Sequence, residues 1–244
     1  DLTITAAHGQ PIVNLARRTD GFDAETASGE NLRPMFLSAA AFATAEVLLE
    51  LLPVSPANIL DMTWYDRARI YASGGAAMGY SHTLLANLFE LDKQSPANGR
   101  TGYVPHPTAL DGRPVVPLGG YALTIPANIA PERIADAWTA LQALTSASAT
   151  KLYLANGSLA SPRFSVNRDP EIAAMSPIIG AVDEMARSGT MRMWPRPPTP
   201  EISSVIAIAG EEIHDMLQGL KRPADALATA QNRADSLMRA KGYY

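Results

Sequence analysis

The chain has 244 residues, 47% of them hydrophobic and 18% charged, and carries a formal net charge of −4. That is enough polypeptide for one large domain or two lobes around a real core. The acidic balance, with no clustered Lys and Arg, excludes an electrostatic nucleic-acid or anionic-lipid surface, and the absence of cysteine excludes disulfides, thiolate zinc sites and a cysteine nucleophile.

Thr3-Ile4-Thr5 is a short β-prone run that stops at the loop His8-Gly9-Gln10-Pro11. A polar stretch from Thr19 to Asn31 leads to Ser38–Leu52, an Ala, Leu and Glu-rich segment that predicts a mostly buried helix. Thr63 to Ser73 predicts a second helix with an N-capping Thr and apolar positions at Trp64, Ala68 and Tyr71. Gly74-Gly75 stops it, and Ala76 to Tyr80 reads as a short buried strand. The prolines of Tyr103-Val104-Pro105-His106-Pro107 forbid a central strand beyond Val104.

Asp111-Gly112 is a turn signal, and Val115-Val116 and Tyr121 to Ile125 read as strands around a Gly pair. Pro131 and Glu132 open a helix to about Leu144, and further helices are predicted at Pro170–Arg187, Pro200–Leu217 and Pro223–Ala240. The order is mixed α/β, without the regular alternation of a barrel and without an internal repeat. The apolar stretches break off well before the ~20 residues of a membrane span. No signal-peptide pattern opens the sequence, which starts at Asp1 and is therefore expected to be a processed form or a fragment.

Chemistry-bearing motifs are scarce. The histidines His8, His82, His106 and His214 stand in no zinc-like spacing, so neither a metal nor a cofactor is expected. There is no nucleophile elbow and no Gly-rich phosphate loop. The pairs Glu211-Glu212 and Asp183-Glu184 are adjacent, so on a helix they diverge; no catalytic residue is assigned. What stands out instead is polar and aromatic residues at predicted strand ends. These are Tyr80-Ser81-His82, Tyr121 after the Gly pair, and Trp194 in an extended Pro-rich segment. An aromatic ring there offers a flat face to the C–H side of a sugar while neighbouring polar groups meet its hydroxyls. Taken singly, each is more often ordinary core or surface packing.

In order, these segments resemble the carbohydrate solute-binding proteins of ABC importers, the maltose-binding-protein-like family. The resemblance is carried by the aromatic helix and small-residue run Trp64–Met78, by Gly99-Arg100-Thr101-Gly102-Tyr103-Val104-Pro105-His106-Pro107, and by Leu118-Gly119-Gly120-Tyr121 through Asn128. A helix with a central Trp at Ala137-Trp138, then Ser161–Val166, Asp169-Pro170-Glu171 and the C-terminal helix with Ala226 to Ala234, complete it. Family members are longer, and this chain is similar to their later portion.

The resemblance implies an α/β, type II periplasmic-binding-protein-like fold of two lobes, here mostly the C-terminal lobe with part of the N-terminal one. It places residues 1–118 in the C-terminal lobe, 119–166 across the hinge and in the N-terminal lobe, and 167–244 back in the C-terminal lobe. The segment 119–166 is too small to bury its own core, so a missing partner segment or a truncated lobe is expected.

The resemblance also implies ligand contacts at His8 and Gln10, the alternative being a solvated loop, and at Tyr80, Ser81 and His82. It implies further contacts at Gly119, Gly120 and Tyr121 on the crossing strand, and at Arg163 and Trp194. Arg163 could instead pair with a nearby acid, and Trp194 could pack between helices. The expected function is capture of a sugar or related polar solute such as a polyol in an interlobe cleft, by a periplasmic, monomeric, non-enzymatic protein that delivers it to a membrane permease. The competing expectation is a carbohydrate-active hydrolase using carboxylates distant in sequence.

Overall fold

The computed structural model describes residues 5, 8–18, 21–107, 116–117, 122–192 and 199–244. In chain order the helices are α1 (Ala39–Leu51), α2 (Trp64–Ala72), α3 (Asn87–Glu90), α4 (Ile134–Leu144), α5 (Ala147–Ala155), α6 (Phe164–Asn167), α7 (Pro170–Ala173), α8 (Pro177–Arg187), α9 (Ile202–Leu217) and α10 (Pro223–Ala240). The strands of the described residues are two residues long. β1 (Arg17–Arg18) pairs antiparallel with β2 (Gly21–Phe22), and β3 (Val116–Pro117) pairs in parallel with β4 (Met191–Arg192), Val116 opposite Met191.

The chain forms two units. The first takes Asp1–Asp61, Pro105–Gly119 and Thr190–Tyr244; the second takes Met62–Val104 and Gly120–Gly189. The second unit thus brings residues 62–104 and 167–189 together with 120–166.

The first unit is organised by α10. Ala226, Ala230 and Ala234 recur every four residues, so they share one face, and Met238 continues it; all are buried. Small side chains on that face let neighbouring backbones come close. Ala226 packs with Leu227, Met216, Ala41 and Ala45, while Ala230, Ala234 and Met238 pack with Val13, Leu32, Phe36 and Val205. The side-chain amide of Gln231 ties the early chain to α10 reciprocally: it accepts from Phe36 N–H at 2.8 Å and donates to the Pro34 carbonyl at 2.9 Å. The last residue adds a clasp. The Arg33 guanidinium lies 4.4 Å from the centre of the Tyr244 ring, whose hydroxyl donates to Asp235, and Arg33 itself reaches Asp235 at 3.0 Å. Burial and that hydrogen bond push the Tyr244 hydroxyl up to about 12.

The α9–α10 turn closes on Gly219, which adopts φ 76° so that its own N–H and that of Leu220 can cap the carbonyls of Met216 and Asp215. Beneath the turn, buried Glu212 receives Lys221 Nζ at 2.5 Å and Arg233 Nη1 at 2.7 Å. Burial pushes the Glu212 carboxyl up, but the hydrogen bonds from Lys221 and Arg233 outweigh it and leave the group lowered.

The second unit gathers short helices around Phe89, Leu154, Leu159, Val166, Ile172, Ile178 and Ile179. Leu159 has φ 50°, an unfavourable region for a branched side chain, yet is fully buried. One polar knot lies at this core. Tyr103 O–H donates to Glu90, Ser176 Oγ donates to the other Glu90 oxygen at 2.9 Å, and Asn98 Nδ2 donates to the Phe89 and Glu90 carbonyls. Burial and its bond to Glu90 hold the Tyr103 hydroxyl well above the usual tyrosine range.

Several elements differ from the sequence-based expectation. Ala76–Tyr80 is irregular and largely exposed, not a buried strand: no described strand lies beside it to take up its backbone groups. Residues 122–125 are likewise irregular and exposed for the most part. The helix expected over 170–187 is two, because the residue before Pro177 is forced out of helical conformation; Ser176 has φ −162° and ψ 139° and caps α8. Thr3, Ile4 and Asp111-Gly112 lie outside the described residues.

Enlarging the α10 face should be costly: Ala230→Leu is expected to lower stability by about 1–3 kcal/mol by overpacking, read from the urea midpoint of the first unit. The lowered Glu212 carboxyl gives stability that is present above the ordinary glutamate range and lost as the pH falls through the folded-state value. The wild-type midpoint should therefore fall on acidification, with Glu212→Gln flattening that slope; equal slopes would refute the coupling.

Candidate functional site

The most chemically suggestive surface of the second unit starts at the head of α2. Thr63 and Asp66 form a capping box: Thr63 Oγ1 accepts from Asp66 N–H at 3.3 Å, and Asp66 Oδ2 accepts from Thr63 N–H at 3.0 Å. Hydrogen bonds from Thr63 hold the Asp66 carboxyl below the usual range. The box fixes the first turn, and with it two consecutive rings. Trp64 and Tyr65 lie with centroids 4.4 Å apart, inclined at 53°, and remain 42% and 43% exposed.

The other end of α2 returns the chain. Gly74 adopts φ 79°, its N–H bonds to the Tyr71 carbonyl, and Gly75 N–H bonds to that of Ile70, so a side chain at Gly74 would be strained. The segment 76–82 then leads back to Trp64. The His82 ring stands edge-on to it, 6.4 Å between centroids at 75°. His82 also caps the helical turn 83–85, its Nδ1 accepting from Leu84 N–H at 3.4 Å. That assigns the proton of the neutral ring to Nε2, which is left as a donor. Tyr80 and Ser81 precede it on the same exposed segment.

Of the sequence-predicted residues, the structure therefore brings His82 to an aromatic group, with Ser81 and Tyr80 beside it in the chain. It adds Trp64 and Tyr65, which sequence reasoning missed as site residues. Trp64 was read as an apolar packing position, whereas Ala68 is the residue of α2 that is buried. Two aromatics directly after a capping Thr were the available signal, since N1 and N2 side chains have no preceding helical turn to cover.

The remaining positions do other work or lie elsewhere. Arg163 caps α6, its Nε donating to the Thr145 carbonyl at 2.7 Å and its N–H to Ser161 Oγ at 3.0 Å, which is a loop clamp rather than the acid pairing considered from sequence. His8 and Gln10 belong to the first unit and are half-buried. Gln10 turns its amide to the nearby Pro11 and Val13 carbonyls, while the Gly9 carbonyl accepts from Arg17 at 2.8 Å. Gly119, Gly120, Tyr121 and Trp194 lie outside the described residues. Among the described residues no group of three or more His, Asp or Glu could hold a metal ion, and no helix is long and apolar enough to cross a membrane.

No protein-family model matches the sequence, and no curated protein does. Solved structures do match, at high probability. Maltose-bound MalE3 of T. maritima superposes with a TM-score of 0.73 at 23% identity, over 89% of this chain and 55% of its own. An ABC transporter solute-binding protein of Agrobacterium radiobacter K84 in complex with ribitol gives 0.74 at 24% identity, over 86% and 53%. One from Agrobacterium vitis S4 with bound D-mannitol gives 0.73 at 15% identity, over 99% and 58%. The fold is that of ABC-transporter solute-binding proteins. It is the type II periplasmic-binding-protein architecture expected from the resemblance, and this chain spans a little more than half the length of each of these structures.

The capping box makes a direct prediction. In a Trp138→Phe, Trp194→Phe background, Thr63→Ala should cost about 1 kcal/mol and weaken the near-ultraviolet dichroism of the Trp64–Tyr65 pair. Unchanged dichroism would show that the box does not position the rings.

Proposed function

We propose that this chain is part of the substrate-binding component of an ABC importer, which captures a sugar or polyol in the periplasm and passes it to a membrane permease without making or breaking a bond. The observation that carries the reading is the exposed ring group Trp64, Tyr65 and His82, held in place by local capping rather than by burial, on a fold whose solved neighbours hold maltose, ribitol and D-mannitol.

The physical logic is one of matched surfaces. A sugar or polyol has C–H groups that are poorly hydrated and hydroxyls that are well hydrated. Aromatic faces take the former at low entropic cost, since each ring has only two rotatable bonds. The hydroxyl of Ser81, that of Tyr80 and the His82 Nε2 donor can meet the latter. A neutral ligand suits a surface with no need to neutralise charge. His8, Gln10, Gly119, Gly120, Tyr121, Arg163 and Trp194 remain proposed contacts, as do the lobe assignment of residues 1–118, 119–166 and 167–244, the permease partner, the monomeric state and the periplasmic location.

Calorimetric titration with maltose, ribitol, D-mannitol and a wider panel of monosaccharides tests the reading. Saturable binding to at least one is expected, with Trp64→Ala and His82→Ala each weakening it by about tenfold or more. No heat from any sugar or polyol would sink it. Release of free sugar from an aryl glycoside, abolished by replacing a carboxylate, would favour the hydrolase instead.

A further inference from the structure

Asparagine followed by glycine is prone to spontaneous modification, because glycine has no side chain to shield its backbone nitrogen from the neighbouring carboxamide. The chain has two such steps, Asn98-Gly99 and Asn156-Gly157; every other asparagine precedes Leu, Ile or Arg. Both lie in the second unit, in opposite settings. Asn98 is half-buried, and its Nδ2 donates to two carbonyls, those of Phe89 at 2.9 Å and Glu90 at 2.7 Å. Its carboxamide is part of the knot around buried Glu90. Turning it toward Gly99 would strip both carbonyls at once and disturb the apolar cluster that Phe89 belongs to.

Asn156 is exposed and forms the C-cap of α5. Its N–H and its Nδ2 both donate to the Leu152 carbonyl one turn back, at 3.0 and 2.8 Å. Gly157 follows with φ 96°, its N–H bonded to the Leu154 carbonyl at 3.0 Å. A helix that ends through a left-handed residue calls for glycine there, so the way α5 terminates is what places a glycine after this asparagine. Fraying of a last helical turn is among the cheapest openings a fold offers, and it frees the Asn156 carboxamide and the Gly157 nitrogen together.

We propose that Asn156 is a self-modification site of this protein, and that the Glu90 knot protects Asn98 from the same reaction. The Gly157 nitrogen gives its proton to solvent and attacks Asn156 Cγ, forming a C–N bond that closes a five-membered succinimide. The Cγ–Nδ2 bond breaks and Nδ2 leaves as ammonia, taking up a proton. Water then opens either carbonyl of the ring, giving aspartate or isoaspartate without any change of oxidation state. Both products set a carboxylate at the C-terminal end of α5, where the helix carbonyls disfavour it. Isoaspartate also adds one carbon to the backbone just ahead of Leu159, which is fully buried in the core at φ 50°. The modified chain therefore has a looser second unit. The inference concerns a different surface from the ring group and stands whether or not the ring group binds sugar.

The 244-residue chain, held folded in mildly alkaline buffer, is sampled over time and digested, and both asparagines are followed by peptide mass spectrometry with fragmentation that separates aspartate from isoaspartate. A parallel sample in urea gives the intrinsic rates of the two steps. In urea both should convert at similar rates. In the folded chain Asn156 should convert about 100-fold faster than Asn98, as for a frayed end against a site reached only by larger opening. The modified form, separated by its extra negative charge, should melt lower than the unmodified one. Comparable rates at the two asparagines in the folded chain would overturn the proposal. So would conversion of both in urea with neither converting when folded, which would show that the α5 cap shields Asn156 as well.

Discussion

The first unit depends on one steric condition, that the inner face of α10 be made of alanines. Ala226, Ala230 and Ala234 carry one methyl each, so α9, α1 and the irregular chain from Ile12 to Phe36 can all reach the helix backbone closely. Several polar contacts of that unit flank the approach this allows. The Gln231 amide bonds to the backbone at Pro34 and Phe36, and Arg33 spans Asp235 and Tyr244. The charges of Lys221 and Arg233 close over Glu212. A segment with almost no regular structure of its own is thereby tied to a helix, whose Gln231 side chain answers its backbone at Pro34 and Phe36.

The second unit obeys a different logic. It is made of helices too short to be stable in isolation, held by one apolar cluster and by the Glu90 knot, which joins Tyr103, Asn98 and Ser176 across more than eighty residues of sequence. Rings that could enter that cluster do not all do so. Tyr71 and Phe89 meet edge-on at 5.0 Å against it, while Trp64 and Tyr65, nearly two turns earlier on α2, stay at the surface. The same short helix therefore serves the core with one end and a solvent-facing aromatic group with the other.

How much of this the sequence disclosed follows from contrast. Helix α10 was legible over its observed span because Pro223 marks its first turn and the alanine spacing marks its face. Helix α1 was legible from its composition and Ser38. Helix α5, ASATKLYLA, went unseen because Ser, Thr and Ala alternate without a clear stripe and only Thr150 and Leu154 face inward. The run Ala76–Tyr80 was misread because small apolar residues look alike in a buried strand and an exposed return loop, and only a partner strand decides between them. The site was half legible: Tyr80-Ser81-His82 drew notice as polar and aromatic residues at a break, but the ring that His82 meets lies eighteen positions earlier, a juxtaposition no local pattern encodes.

The chain's path has a consequence for how the protein is made. The first unit draws on residues 1–61, 105–119 and 190–244, with the whole of the second unit lying between residues 61 and 190 in sequence. The early segment contributes Val13, Leu32 and Phe36, but the alanines they rest on are synthesised close to two hundred residues later. Until then the early segment has no surface to settle on and no amide to answer its backbone, and the loop to be closed is close to two hundred residues long. Closure of the first unit therefore waits on the synthesis of α10.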